Sequence, residues 1–240
     1  MYIVFLRLRF HLFQRHRYNR LTVETLAGKP FVILPGVFNP TLFFSSAFFV
    51  QTFSPELIPP GATVLDMGTG SGVGAVFAAQ WAAQGTAAQG SAGRVVAVDV
   101  NPAAVRCARI NALLNGVDDR VEVRAGDLFA PVAGAQFDVV LFNPPYISGT
   151  AKNDLEKAFF STGLATRFAT ELRTHLNPDG YALVILSDID APFEAAFLAA
   201  LAQANFSRRI VRQKKLPTET LTIYQILRGA IMNASGQKMV

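Results

Sequence analysis

Residues 63–74 read Thr-Val-Leu-Asp-Met-Gly-Thr-Gly-Ser-Gly-Val-Gly. The first five form a short apolar, β-prone run, glycines follow at every second position from Gly68 to Gly74, and a helical pattern covers 72–84. Glycines let the backbone turn tightly and approach a ligand closely, and the helix that opens there offers unpaired N–H groups. Such glycine text is a weak signal alone, but strand, turn and helix in this order read as a nucleotide-cofactor loop. Downstream of this stretch, strands fit at 94–99, 121–124, 137–142 and 181–187, with helices at 102–115, 154–176 and 192–204. Several strands are continuous apolar runs, as parallel strands covered on both faces require. The alternation implies an α/β fold with a doubly wound, mostly parallel sheet. The end differs, because 207–212 and 220–227 are two strand-like runs with no helix between them, which predicts an antiparallel hairpin at one edge.

The 240 residues are 51% hydrophobic and 16% charged, which excludes a disordered or fibrous class. The single cysteine, Cys107, excludes an internal disulfide, and no Cys/His cluster has zinc spacing. A reducing, cytoplasmic setting and no metal are therefore expected. No run of 18 apolar residues occurs, so no membrane span is expected. Before the glycine loop, 21–26 and 31–34 read as a hairpin around 27–30, and 41–53 as an apolar helix. The expected organisation is an N-terminal extension over 1–60 bearing the substrate or lid region, a cofactor-binding domain over 61–230, and a tail over 231–240. Residues 85–93 read as a flexible loop.

Net charge is +5 but uneven. Residues 1–20 carry five arginines and no acid, and 205–240 carry seven basic side chains against Glu219 alone. These basic termini could contact a polyanion such as nucleic acid, or they could be solvated tails. The Arg-rich start lacks the serines of a transit peptide and is read as part of the fold.

Three acids stand at three consecutive strand ends: Asp66, Asp99 and Asp127. A carboxylate beside the glycine turn would repel a pyrophosphate but suits a ligand with an amino or sulfonium charge. Asp99 can accept ribose hydroxyls, and Asp127 the amino group of adenine. Together they describe a nucleoside pocket without phosphates. The decisive segment is Asn143-Pro144-Pro145-Tyr146, after the strand at 137–142. Its prolines hold the backbone extended, and Pro145 has no N–H to donate. The Asn143 side-chain oxygen and the Pro144 carbonyl become fixed acceptors beside the Tyr146 ring. Two acceptors and a ring match a planar NH₂ group on a conjugated system.

The segments at 66–72, 97–102, 126–129 and 143–146 resemble the class I S-adenosylmethionine-dependent methyltransferases that modify planar amino or amide nitrogens. The likeness covers about 62–228 and implies a seven-stranded sheet with an antiparallel C-terminal hairpin. It also implies S-adenosyl-L-methionine as cofactor. Asp66, Gly68, Thr69, Gly70 and Gly72 would hold its methionine end, Asp99 and Val100 the ribose, and Asp127 and Leu128 the adenine. Asn143, Pro144, Pro145 and Tyr146 would position the target nitrogen, and Asn143 would also belong to the cofactor-binding set. Within the group the chain is most similar to release-factor glutamine N5-methyltransferases of the short form, whose Val-Tyr-x-Pro segment corresponds to Val37-Phe38-Asn39-Pro40. It departs from them after Pro40, where Thr41-Leu42-Phe43-Phe44-Ser45-Ser46 replaces acids and a threonine. The first expectation for the acceptor is a protein glutamine of release-factor type. The alternative is adenine N6 or guanine N2 in ribosomal RNA or other nucleic acid. Two further readings are a non-catalytic nucleotide-binding module and a nicotinamide-dependent oxidoreductase; the latter leaves Asp66, Asp127 and the 143–146 segment without a role. His11, His16, His175 and Cys107 read as structural. Asp188 and Asp190 could meet a substrate, and Phe43, Phe44, Phe48 and Phe49 read as core, or more sharply as a lid.

Overall fold

The structure, a computed structural model, describes residues 20–84, 93–148, 160–161 and 163–229. In chain order, β1 (Thr22–Leu26) and β2 (Lys29–Ile33) form a hairpin and α1 (Phe44–Val50) follows. Then come β3 (Thr63–Met67), α2 (Val73–Ala82), β4 (Arg94–Asp99), α3 (Pro102–Leu114), β5 (Val121–Ala125) and β6 (Phe137–Phe142). Two-residue strands β7 (Ile147–Ser148) and β8 (Phe160–Ser161) precede α4 (Leu164–Leu172), β9 (Leu176–Ser187), α5 (Ala191–Gln203), β10 (Phe206–Lys215) and β11 (Thr220–Arg228). The main sheet has seven strands in the order β10-β11-β9-β6-β3-β4-β5. β9, β6, β3, β4 and β5 pair in parallel, whereas β11 runs antiparallel to both β9 and β10. This is the expected architecture, with the expected edge hairpin.

The apolar strands divide their side chains between two cores, which is why they show no polar alternation. Val64, Val139, Leu141 and Ile185 pack with Phe31, Phe48 and Phe49 on the face of α1, α2 and α3. Leu65, Val140, Phe142 and Leu186 pack with Phe168 and Phe197 on the face of α4 and α5. In the second core, Phe168 has ring centroids 4.6 Å from Phe142 and 5.6 Å from Phe129, and His175 stacks on Phe129 at 4.5 Å. His175 and the buried Cys107 are thus packing residues.

The N-terminal hairpin is fastened to this frame by Asn111 of α3, which is fully buried. Its Oδ1 accepts the Val32 N–H at 2.7 Å, while its Nδ2 donates to the Val32 and Ser71 carbonyls at 2.7 and 2.8 Å. One side chain therefore joins the hairpin, α3 and the glycine loop.

Three boundaries differ from expectation. The helix expected over 154–176 is α4 alone, preceded by β8, which pairs with β7; residues 154–159 lie outside the described set. Gly163, at φ +67, starts α4, and the buried positions Phe168, Ala169 and Leu172 fall within it, after which a 3₁₀ turn leads out. β9 begins five residues before the expected 181, because Leu176 pairs with Phe137 and residues 177–180 bulge before Tyr181 meets Val139. The helix expected over 41–53 contracts to α1. Asn39 Oδ1 accepts from both the backbone N–H and the hydroxyl of Thr41, which holds that stretch in a turn. Expectations for 1–19, for 85–92 and for 230–240 lie outside the described residues. Among the described residues, no helix is long and apolar enough to cross a membrane.

Candidate active site

The C-terminal ends of β3, β4 and β6 open onto a cleft of about 480 Å³, where doubly wound sheets place their ligands. Asp66, Gly68, Thr69, Gly70, Asp99, Val100, Asp127, Leu128, Asn143, Pro144, Pro145 and Tyr146 all line it. Gly72 does not. At φ +83 it turns the chain into α2, and a Cβ there would lie 2.9 Å from the Ala108 Cα, so it serves the packing of α2 against α3. The residue whose missing side chain shapes the acidic end is Gly74. A Cβ there would stand 2.5 Å from Asp66 Oδ1.

Asp66 is 5% exposed. Its Oδ2 accepts the Thr69 hydroxyl at 2.5 Å and the Ala75 N–H at 2.8 Å in the first turn of α2. Burial pushes its pKa up to about 6 despite those bonds, and the neighbouring Asp99 charge adds to the rise. Burial also raises Asp99, although its two oxygens accept the Gly70 and Asn101 N–H groups at 2.8 and 2.9 Å. Asp127 and Glu219 complete four acids in the lining. Among the described residues that line the cleft, Arg167 is the one cation, and it is paired with Asp127 at 2.7 Å. A cleft of this charge in a chain of net +5 suits a cationic ligand and disfavours a pyrophosphate.

The Asp66 charge is costly to the empty fold. Between about pH 4 and 6 the folded state holds a proton that the unfolded state has released, so stability falls as pH rises through that window and stays lower above it. Asp66→Asn is therefore expected to stabilise the cofactor-free protein at pH 7.5 by on the order of 2–3 kcal/mol. The gain should largely disappear by about pH 4. Denaturant unfolding of both forms at the two pH values checks this, and the same variant should bind the cofactor more weakly.

Beside β3, β6 stops at Phe142, the partner of Met67, and the two prolines follow Asn143. Asn143 is half-buried, and its Oδ1 accepts the Tyr146 hydroxyl. Burial keeps Tyr146 far above its ordinary pKa, hence a neutral donor, with the Ser45 hydroxyl within bonding reach. Glu219 joins this end from the turn between β10 and β11. It accepts the Ser187 hydroxyl, and burial raises its pKa, with Asp188 adding to the effect. The sequence offered Glu219 only as the lone acid of a basic segment, and Arg167 gave no signal. Asp188 and Asp190 are engaged elsewhere, with the Thr220 N–H and the N-terminus of α5. The four phenylalanines divide: Phe48 is buried in the core, Phe49 is buried and also lines the cleft, and Phe43 and Phe44 face it. Ser45 and Ser46 are buried in its wall.

The methyltransferase small domain model matches residues 29–206. The chain belongs to that family. The methyltransferase is 30% identical over 168 residues to a Methanocaldococcus jannaschii protein whose name provisionally assigns it protein N5-glutamine methylation; the match covers 67% of this chain and 78% of that one. It is 45% identical over 92 residues to the release factor glutamine methyltransferase of Cereibacter sphaeroides, covering 38% of this chain and 30% of the relative. Matches of the second kind span well under half the relative's length. Among solved structures, the Thermus thermophilus 16S rRNA N2 G1207 methyltransferase, determined with S-adenosylmethionine and guanosine, superposes with a TM-score of 0.63. Identity is 20%, over 87% of this chain and 50% of that one, which speaks for the fold alone. The methyltransferase domain is of the S-adenosyl-L-methionine-dependent, nitrogen-modifying kind, and its acidic cleft, in which Arg167 is paired with Asp127, fits that cofactor.

Proposed function

We propose that the chain methylates the side-chain amide nitrogen of a protein glutamine in a release-factor-type substrate. The observation that carries this reading is the corner at Asn143 and Tyr146, where the Tyr146 hydroxyl holds an acceptor oxygen in the lining of the cleft. The archaeal relative named for glutamine methylation, matched over most of its length, supports it. S-Adenosyl-L-methionine, when bound, supplies an electrophilic methyl group on a sulfonium sulfur. Asp66, Gly68, Thr69 and Gly70 would hold its amino-acid end, Asp99 and Val100 its ribose, and Asp127 and Leu128 its base.

Asn143 Oδ1 and the Pro144 carbonyl accept the two N–H groups of the acceptor. Both hydrogens are then fixed, which turns the nitrogen toward tetrahedral geometry and frees a lone pair otherwise delocalised into the carbonyl. The Tyr146 hydroxyl keeps the Asn143 amide oriented. No strong base is needed, because the nitrogen becomes acidic as its bond to the methyl forms and the methyl–sulfur bond breaks. Its surplus proton passes to solvent. The contribution is positioning, for which well-oriented reactants can account for roughly 7–11 kcal/mol of barrier.

A second reading, an exocyclic amino nitrogen of an RNA base, is favoured by one observation: the exposed strand β10 carries five cations and no acid. Incubation with methyl-labelled S-adenosylmethionine and a cell extract, then split into RNA and RNA-free protein, separates the two. Label in a protein band of release-factor size, absent with Asn143→Ala, is expected. Label confined to RNA moves the acceptor to the base.

A further inference from the structure

We infer that β10 and α1 form a docking surface for single-stranded RNA that leads to the mouth of the cleft. Among the described residues β10 is an edge strand, paired only with β11, and reads Phe-Ser-Arg-Arg-Ile-Val-Arg-Gln-Lys-Lys. Arg208, Arg209, Arg212, Lys214 and Lys215 are all exposed. None of the five forms an ion pair with a described carboxylate.

The register sorts these cations by face. Arg209 pairs with Gln225, Arg212 with Ile223 and Lys214 with Leu221, and the irregularity at Val211 keeps Arg212 in line with Arg209. Ile223 and Leu221 belong to the core beneath α1, so Arg209, Arg212 and Lys214 form one row on the α1 face. Arg208 and Lys215 stand on the other. The row continues onto aromatic rings. The Arg212 guanidinium lies 5.3 Å from the Phe48 centroid, and Lys214 Nζ lies 5.7 Å from Phe44 and 5.9 Å from Phe48.

Phe44 is 58% exposed and also lines the cleft. An exposed ring at the rim of an acidic cleft, with a cation above it and a row of cations behind it, combines the two elements of single-strand binding: a charged track for the backbone and a platform on which a base stacks. Alternate residues of a strand lie about 6.6–6.8 Å apart, a spacing an extended phosphate chain can follow. The cleft itself, with four acids, repels that backbone, so the strand is held at the rim and only a neutral group enters. The edge position matters too, since cations there also discourage strand addition by another protein.

The inference goes beyond the proposed acceptor: it concerns a strand held at the rim of the cleft, and its test reads RNA binding rather than methyl transfer. It is tested with the full chain saturated with S-adenosylhomocysteine and a fluorescent single-stranded oligoribonucleotide of about 12 nucleotides, a length within the range single-strand sites cover. Fluorescence anisotropy is read across a salt series. Arg209→Gln/Arg212→Gln/Lys214→Gln is expected to weaken binding at least about 10-fold and to reduce the slope of log K against log salt by about 2. Phe44→Ala should weaken binding at least about 5-fold with the slope retained. Lys215→Gln, on the opposite face, should cost less than about 3-fold by the same count of backbone contacts. Should the triple variant lose cofactor binding, Lys214→Gln alone decides, with a slope reduced by about 0.7 expected. No binding at low salt, variants that bind like the parent, or equal displacement by poly-glutamate would each overturn the inference; the last would make the row a site for acidic protein segments. Failure here leaves glutamine methylation standing, since label in protein is read independently.

Discussion

Asn143→Ala is expected to lower turnover at least about 100-fold while leaving cofactor affinity within a few-fold. The substitution removes the Oδ1 that the Tyr146 hydroxyl now engages, and the Pro144 carbonyl alone cannot fix both hydrogens of an NH₂ group. The nitrogen is then free to rotate back into conjugation, and the approach geometry that the corner supplies is lost. A 100-fold loss corresponds to about 2.7 kcal/mol, a fraction of what orientation can provide. The substitution leaves untouched the bonds that hold Asp66 to Thr69 and Ala75 and Asp99 to Gly70 and Asn101, so the cofactor should bind nearly as before. Steady-state kinetics alongside calorimetric titration of the cofactor separates the two quantities. Turnover equal to the parent's would remove Asn143 from the chemistry.

Gly74→Ala is expected to reduce cofactor affinity by about 100-fold or more. Intrinsic helix propensity argues the other way, since alanine gains about 0.8–1 kcal/mol over glycine inside a helix. The local geometry outweighs it. The added methyl would sit 2.5 Å from Asp66 Oδ1 and 2.8 Å from its Cγ and Oδ2, so the carboxylate must move. Moving it breaks the bonds from the Thr69 hydroxyl and the Ala75 N–H, which hold the glycine loop to α2. Hydrogen bonds to charged groups contribute about 1.5–3 kcal/mol each, and two lost together exceed the 2.7 kcal/mol of a 100-fold change. Titration of the variant with S-adenosylmethionine gives the answer, and an affinity within about 5-fold of the parent's would mean that Asp66 does not shape the slot.

The strands around the glycine loop were legible because each carries its own signature. A strand buried on both faces must be apolar throughout, and β3, β4 and β6 have the ends their text suggests. α4 and β9 were less so. Gly163 starts α4 inside a run that reads as one helix from 154 to 176, and β9 starts at Leu176, where Phe137 lies opposite it. That pairing is non-local and leaves no mark in the segment itself. The same holds in the site. Four glycines in alternation look alike as text, but Gly74 clears Asp66 whereas Gly72 clears Ala108 of α3. Glu219 stood out as a lone acid, and only the return of β11 along β9 brings it to Ser187 and Tyr146. The phenylalanines at 43, 44, 48 and 49 follow one period, yet Phe43, Phe44 and Phe49 line the cleft while Phe48 packs in the core.

The cationic row of β10 shows how sequence and register combine. The composition of 205–240 displays the charge, but the irregularity at Val211 decides which cations share a face. Without it, Arg209 and Arg212 would point to opposite sides of the sheet.

The measurement that bears most directly on the central claim is the chemical identity of the transferred methyl. Protein and RNA labelled from methyl-labelled S-adenosylmethionine are digested enzymatically, and the labelled products are identified by mass spectrometry. The corner at Asn143 predicts a methyl on nitrogen, as N5-methylglutamine in the first reading or a methylated amino base in the second, and none with Asn143→Ala. A methyl ester, a thioether or a methyl on ring carbon would contradict it.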